Sequence, residues 1–211
     1  MSYASNATSA YLDAKNEFDS AWRNPKYTQF ELAPVAVNKV LQERYSLASP
    51  ISLTRTLVWD MEVRKAWDPF TFIPYVVSEG TSWGRHQLAY GCERFSRSSV
   101  QAGWITSERG RVLEDVFLNH SSQQVLFLGR TSMKGVDGTI TADAFQPIFH
   151  VEHAAGGSED DPLNLWKIVL LTEGKDERYT EPFKEMVRKG LLPGFLEIYI
   201  EQTFNIKLKR K

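Results

Sequence analysis

From Arg85 to Thr172 the chain reads as strand after strand with only short turns between them, and this run constrains the fold more than any other feature. Strands joined by tight turns pair antiparallel, because parallel neighbours need long crossover connections. His86 to Phe95 and Val100 to Thr106 read as the first two strands, followed by a turn at Glu108-Arg109-Gly110. Arg111 to Leu118 and Gln124 to Arg130 read as a hairpin across Asn119 to Gln123. Gly135 to Gly138 marks another turn. Thr139 to Phe145 and Pro147 to His153 follow as strands, Ala154 to Pro162 as a polar loop, and Asn164 to Thr172 as the last strand.

Helical patterns flank this run. Tyr11, Phe18 and Trp22 form a thin apolar stripe over Ser2 to Asn24, which Pro25 ends. This segment reads as an appended helix docked on the main body or on a partner, with a frayed segment as the alternative. Val35 to Leu47 alternates apolar and polar residues and reads as a strand. In Pro50 to Tyr75, Leu57, Val58, Met61 and Ala66 share one helical face, with Ser49, Ser52 or Thr54 as N-cap. Asp68-Pro69 stops that helix, because a residue before proline disfavours the α region. Near the end, Thr180 is the expected cap of a long helix presenting Phe183, Met186, Val187, Leu191, Phe195 and Ile198. Pro193, between Gly190 and Gly194, predicts a kink in it.

A length of 211 residues suffices for one large core. The formal net charge of -1 provides no basic excess to neutralise phosphates, so nucleic acid is not an expected partner. Lys207 to Lys211 reads as a solvated tail. Cys92 is the single cysteine, which rules out an intramolecular disulfide. No apolar run reaches membrane-spanning length and no basic-then-apolar leader is visible, so a cytoplasmic location is expected and the Asn6-Ala7-Thr8 sequon stays unused. The supply of 12 Phe, 8 Tyr and 6 Trp is enough to line an apolar site as well as fill a core.

Leu53-Thr54-Arg55, Val58-Trp59, Asp68-Pro69, Phe72 and Pro74 are similar to the opening of the AtaL-like branch of the START-like (SRPBCC) superfamily. Val112, Glu114-Asp115-Val116, Leu118, Val125 and Phe127 resemble the central hairpin of that branch. The departures are the extra N-terminal helix, an insertion around Ser96 to Arg109 and the interruption at Pro193. The resemblance implies an α+β helix-grip fold: a curved antiparallel sheet of about seven strands around a long C-terminal helix, enclosing an apolar cavity. Residues 1–30 would be a helical extension and 31–211 the ligand-binding domain. It further implies a hydrophobic ligand, aromatic or polyketide-like, of secondary metabolism. The superfamily includes cyclases, lyases, dehydratases and plain carriers, so fold alone does not decide between enzyme and carrier or sensor. An interaction module built on the surface helices, or a homodimer, is also compatible.

Strand alternation supplies the candidate residues. Glu114 shares a face with Val112, Val116 and Leu118; facing an apolar cavity it would be a candidate acid or base, otherwise the partner of a neighbouring cation. His153 shares a face with Phe149 and Val151 and is either a second acid or base or a solvent-edge residue. His86, Tyr90 and Arg94 share a face of their strand and would either hold a polar end of the ligand or form a solvated ladder. Tyr75, Phe127, Phe149 and Trp166 are the candidate apolar contacts. His150 and His153 fall on opposite strand faces, a poor spacing for a metal, and no metal or organic cofactor is expected.

Overall fold

A computed structural model describes residues 3–211, with side chains from residue 10 onward, so the Asn6 and Thr8 side chains of the sequon lie outside the described residues. In chain order the elements are α1 (Tyr3–Arg23), β1 (Thr28–Glu31), β2 (Val35–Ala36), α2 (Val37–Arg44), β3 (Tyr45–Leu47), α3 (Arg55–Trp67) and α4 (Pro69–Phe72). There follow β4 (Val77–Gln87), β5 (Cys92–Ala102), β6 (Arg109–Asn119), β7 (Gln124–Arg130), β8 (Ser132–Lys134), β9 (Thr139–Thr141), β10 (Phe149–Gly157) and β11 (Pro162–Leu170). The chain closes with α5 (Glu181–Lys189), α6 (Gly194–Phe204) and β12 (Leu208–Arg210).

The main sheet is antiparallel, in the order β1-β11-β10-β7-β6-β5-β4, with β2 also paired to β11. The expected hairpin is β6 and β7, with Val116 opposite Phe127. Val112, Val116, Leu118, Phe127, Phe149, Val151, Trp166 and Ile168 project to the inner face, where α3 and α6 pack. Phe117, Leu126, Leu128 and Val169 project to the outer face, where Tyr11, Ala14, Phe18 and Ala21 of α1 cover them. Both faces of the central strands β6, β7 and β10 are therefore covered, which is why these strands read as nearly continuous apolar runs, whereas the edge strand β4 is largely exposed. The apolar stripe of α1 is used up on this sheet, and the ion pair of Glu17 with Arg130 and that of Lys15 with Glu152 (3.2 Å) border it.

Thr54 is the cap of α3: its hydroxyl accepts from the Leu57 amide at 3.1 Å. Asp68 ends α3 and caps α4, accepting from the Thr71 amide at 3.1 Å.

Several expectations are corrected. Val35 to Leu47 is mostly helix, since Val37 and Leu41 are buried at a spacing of four and Asn38 clamps α2 by hydrogen bonds to Leu53 (2.9 and 2.8 Å). His86 to Phe95 is two strands: Tyr90 (φ 58°) and Gly91 (φ 69°) both adopt the left-handed region and reverse the chain. β5 therefore runs on through Arg97 to Ala102, where the expected second strand began. Thr139 to Phe145 yields only the short β9, paired with β8 outside the main sheet. The loop expected from Ala154 narrows to residues 158–161, because Ala154, Ala155 and Gly156 continue the ladder with β11.

The C-terminal helix is broken rather than kinked. Gly190 caps α5 in the left-handed region (φ 59°) and Pro193 begins α6. Thr180 makes no capping bond; its hydroxyl donates to the Glu177 carbonyl at 2.8 Å instead. The basic tail is not free either, because β12 pairs with β3 and Arg210 pairs with Glu197 at 2.7 Å. Among the described residues, no helix is long and apolar enough to cross a membrane.

Candidate functional site

Between the inner face of the sheet and the helices α3, α5 and α6 lies a cavity of about 540 Å³. Phe127, Phe149, Val151, Trp166 and Ile168 form its sheet wall, and Phe183, Met186 and Phe195 form its helical wall. Tyr75 stands at the rim, 55% exposed and against Gly194. That volume is in the range of pockets that enclose small organic ligands.

Two buried charged constellations interrupt this lining, to which the more exposed Lys189, Glu197 and Arg210 also contribute. The first grows from α3, where Glu62 and Lys65, three residues apart, share the inward face with Val58 and Met61. Lys65 Nζ lies 2.5 Å from Glu62 Oε2 and 2.6 Å from His153 Nδ1. Glu62 Oε2 is 3.1 Å from the same Nδ1. Asn164 fixes the other Glu62 oxygen by donating at 2.8 Å, and the Trp166 indole donates to Asn164 Oδ1 at 2.5 Å. The His153 ring stacks on Trp166 with centroids 4.6 Å apart, and Lys65 Nζ sits 3.8 Å above the Phe195 ring.

Burial and charge act differently on each member. Burial alone would raise the Glu62 carboxyl, but Lys65 and His153 outweigh it and hold the carboxyl down at about 2. Burial pulls the Lys65 ammonium down to about 8 against the opposing pull of Glu62. Burial, aided by the Lys65 charge, lowers His153 to about 4, so its imidazole is neutral near pH 7. The shorter contact decides the tautomer: charged Lys65 donates to Nδ1, which places the ring proton on Nε2.

The second constellation spans two paired strands, since Arg97 of β5 is directly opposite Glu114 of β6. Arg97 Nε and Nη2 both donate to Glu114 Oε2, at 2.8 and 2.5 Å. Its Nη1 donates to the Ala66 carbonyl at 3.1 Å, tying the sheet to the last turn of α3. The guanidinium also lies 4.6 Å from the Phe127 ring centre. Glu114 thus reaches the cavity wall as one half of an ion pair, combining the two alternatives read from the sequence.

Of the candidate residues, Glu114, His153, Tyr75, Phe127, Phe149 and Trp166 come together around the cavity. His86, Tyr90 and Arg94 do not, and the turn that splits their strand is the reason. Tyr90 sits at its tip, 77% exposed. His86 is exposed on β4, its ring bonded to the Gly84 carbonyl at 2.8 Å. Arg94 turns to the outer face and grips Asp115 through two bonds of 2.9 and 2.7 Å. Sequence reasoning passed over Glu62, Lys65 and Arg97. A charged Glu62-x-x-Lys65 pair inside the apolar stripe of α3 was the available signal, because such a stripe does not bury ions without a partner.

No family model matches the chain, and no curated protein matches it. Among solved structures it is similar to Ara h 8.0201, with a TM-score of 0.48 and 8% identity over 85% of this chain and 99% of that one. It is also similar to the ZhuI aromatase/cyclase from Streptomyces sp. R1128, with a TM-score of 0.45 and 9% identity over 83% of this chain and 94% of that one. Ginseng major latex-like protein 151 from Panax ginseng gives a TM-score of 0.41 and 12% identity over 77% of this chain and 94% of that one. Similarity this distant assigns neither substrate nor reaction. The chain's own geometry, an antiparallel sheet closed on C-terminal helices around a cavity, is an α+β helix-grip arrangement.

Proposed function

We propose that the protein binds one small hydrophobic metabolite, aromatic or polyketide-like, in this cavity and catalyses its cyclisation, isomerisation or dehydration in secondary-metabolite biosynthesis. The observation that carries this reading is the pair of buried polar constellations set into the wall of a largely apolar cavity. An apolar chamber holds a flexible chain in a reactive shape, which by itself removes much of the entropic barrier. The neutral His153 ring offers a donor at Nε2 for a carbonyl or developing enolate oxygen. Glu114, positioned by Arg97, is the carboxylate that would take a proton alpha to that carbonyl.

A second reading is a carrier or sensor of the same ligand class. It is favoured by the closure of both constellations on internal partners, Arg97 with Glu114 and Lys65 with Glu62.

The test compares wild type with Glu114→Gln and His153→Gln. Binding is followed by the fluorescence of 1-anilinonaphthalene-8-sulfonate and its displacement by aromatic polyketones, and turnover by their absorbance. The enzyme reading expects displacement retained and turnover reduced about 10²- to 10⁴-fold. Turnover unchanged in both variants removes these two residues from proton transfer. Tight displacement by polyketones that are never converted favours the carrier.

A further inference from the structure

We propose that Lys65 Nζ forms a covalent imine with a carbonyl group of the ligand, which narrows the ligand class to aromatic or polyketide-like aldehydes and ketones. The inference rests on the cavity being the ligand site and goes beyond it by assigning the bond that holds the ligand.

Three features of the geometry point to it. Lys65 lies on the cavity wall with a side chain only 4% exposed, so a ligand meets its amine away from water. His153 Nδ1, at 2.6 Å, is placed to take a proton from Nζ and return it. Glu62 Oε2 lies beside that nitrogen, 2.5 Å from Nζ and 3.1 Å from Nδ1, and an iminium carries the same single positive charge as the ammonium it replaces. Imine formation therefore leaves no buried carboxylate uncompensated, whereas acylation of the same amine would. Stability alone does not call for the pair, since apolar residues of similar volume commonly serve a core as well.

The step balances without an added oxidant or reductant. Nζ gives a proton to His153 Nδ1, and its freed lone pair attacks the carbonyl carbon. The C–N bond forms as the C=O π pair moves to oxygen, and His153 returns the proton to that oxygen. A second Nζ proton takes the same route to the hydroxyl, which leaves as water. An ammonium and a carbonyl thus become an iminium and water.

The local field favours the chemistry. The charged and titratable groups facing Lys65 are Glu62 on its own helix, His153 on β10 and Arg97 on β5, with Glu114 of β6 behind Arg97. Burial is the largest influence and, with Arg97, draws the amine down to about 8 against Glu62. At pH 7 its reactive neutral fraction exceeds that of an exposed lysine on the order of a hundredfold.

The experiment treats the full chain with 2-naphthaldehyde and sodium cyanoborohydride at pH 7, then maps labelled peptides by mass. The expected label is one aldehyde less one oxygen atom, carried on Lys65 faster than on surface lysines by about two orders of magnitude. Excess unreactive 2-methylnaphthalene should block labelling at Lys65 and leave surface labelling unchanged. In Lys65→Arg, which keeps a cation beside Glu62, the fast label should vanish while 2-methylnaphthalene still binds. Labelling of Lys65 no faster than surface lysines, with 2-methylnaphthalene bound in the cavity, overturns the imine alone. Failure of 2-methylnaphthalene to bind at all overturns the ligand site, and the imine with it.

Discussion

The buried trio shows how one residue's charge depends on its neighbours. Glu62 is fully enclosed and has Lys65 as its compensating cation, so removing the lysine leaves a buried carboxylate whose charge is not balanced, although Asn164 still donates to it. Lys65→Met should cost about 3–5 kcal/mol in urea unfolding, and Glu62→Gln/Lys65→Met markedly less. Equal losses in the single and double variants would show that the two charges are not coupled. His153 adds a pH dependence whose sign follows from its lowered pKa. Between pH 6.5 and about 4 the unfolded chain binds a proton at this histidine and the folded chain does not, so stability is lost as the pH is lowered across that window. The slope attributable to one such group is at most about 1.4 kcal/mol per pH unit. His150, also lowered mainly by burial, contributes with the same sign. His153→Gln should therefore flatten the stability curve between pH 6.5 and 4 without abolishing its slope, and an unchanged curve would mean the ring is not held neutral.

At the scale of elements, α1 is integral to the fold. Phe18 is 1% exposed against Phe117, Leu126 and Leu128, so Phe18→Ala should cost about 3–5 kcal/mol. A loss below about 1 kcal/mol by thermal or urea unfolding would mark α1 as a loosely attached arm. The elements that were legible in the sequence have a strong period or a hard stop. The β6–β7 hairpin pairs without a register shift, so the residues that share a face with Glu114 and Val116 could be read from a spacing of two, while which face turned inward stayed open. Asp68-Pro69 ended α3 for steric reasons that need no tertiary context. What stayed hidden depends on distant partners. Gly91 was the one signal at the break between β4 and β5, but a lone glycine in a strand pattern does not separate a bulge from a full reversal, and the left-handed Tyr90 before it carries no mark of its own, so His86 and Arg94 were read as one strand. Arg97 and Glu114 are ordinary charges until the strand register sets them opposite each other. β2 and β3 are too short for alternation to distinguish them from the helix they flank.

The whole molecule has an uneven distribution of packing. The central strands of the sheet are covered on both faces, and α3 and α6 pack against the inner one. In contrast α5, which forms part of the cavity wall through Phe183 and Met186, contains no buried residue. It ends at Gly190 in the left-handed region, and the link through Leu192 to Pro193 separates it from the firmly packed α6. An element with few buried contacts opens locally at small free-energy cost, whereas β6 opens only with the whole fold. Amides of 183–189 should therefore exchange with solvent fastest among the cavity-lining elements, and those of β6 and β7 slowest. A ligand filling the chamber adds apolar contact to Phe183 and Met186 from the inside. Saturation with 2-methylnaphthalene should accordingly slow exchange in α5 more than in α6. Protection in the ligand-free protein as strong in α5 as in β6 would refute this, because a firmly packed α5 has no local opening left for a ligand to suppress.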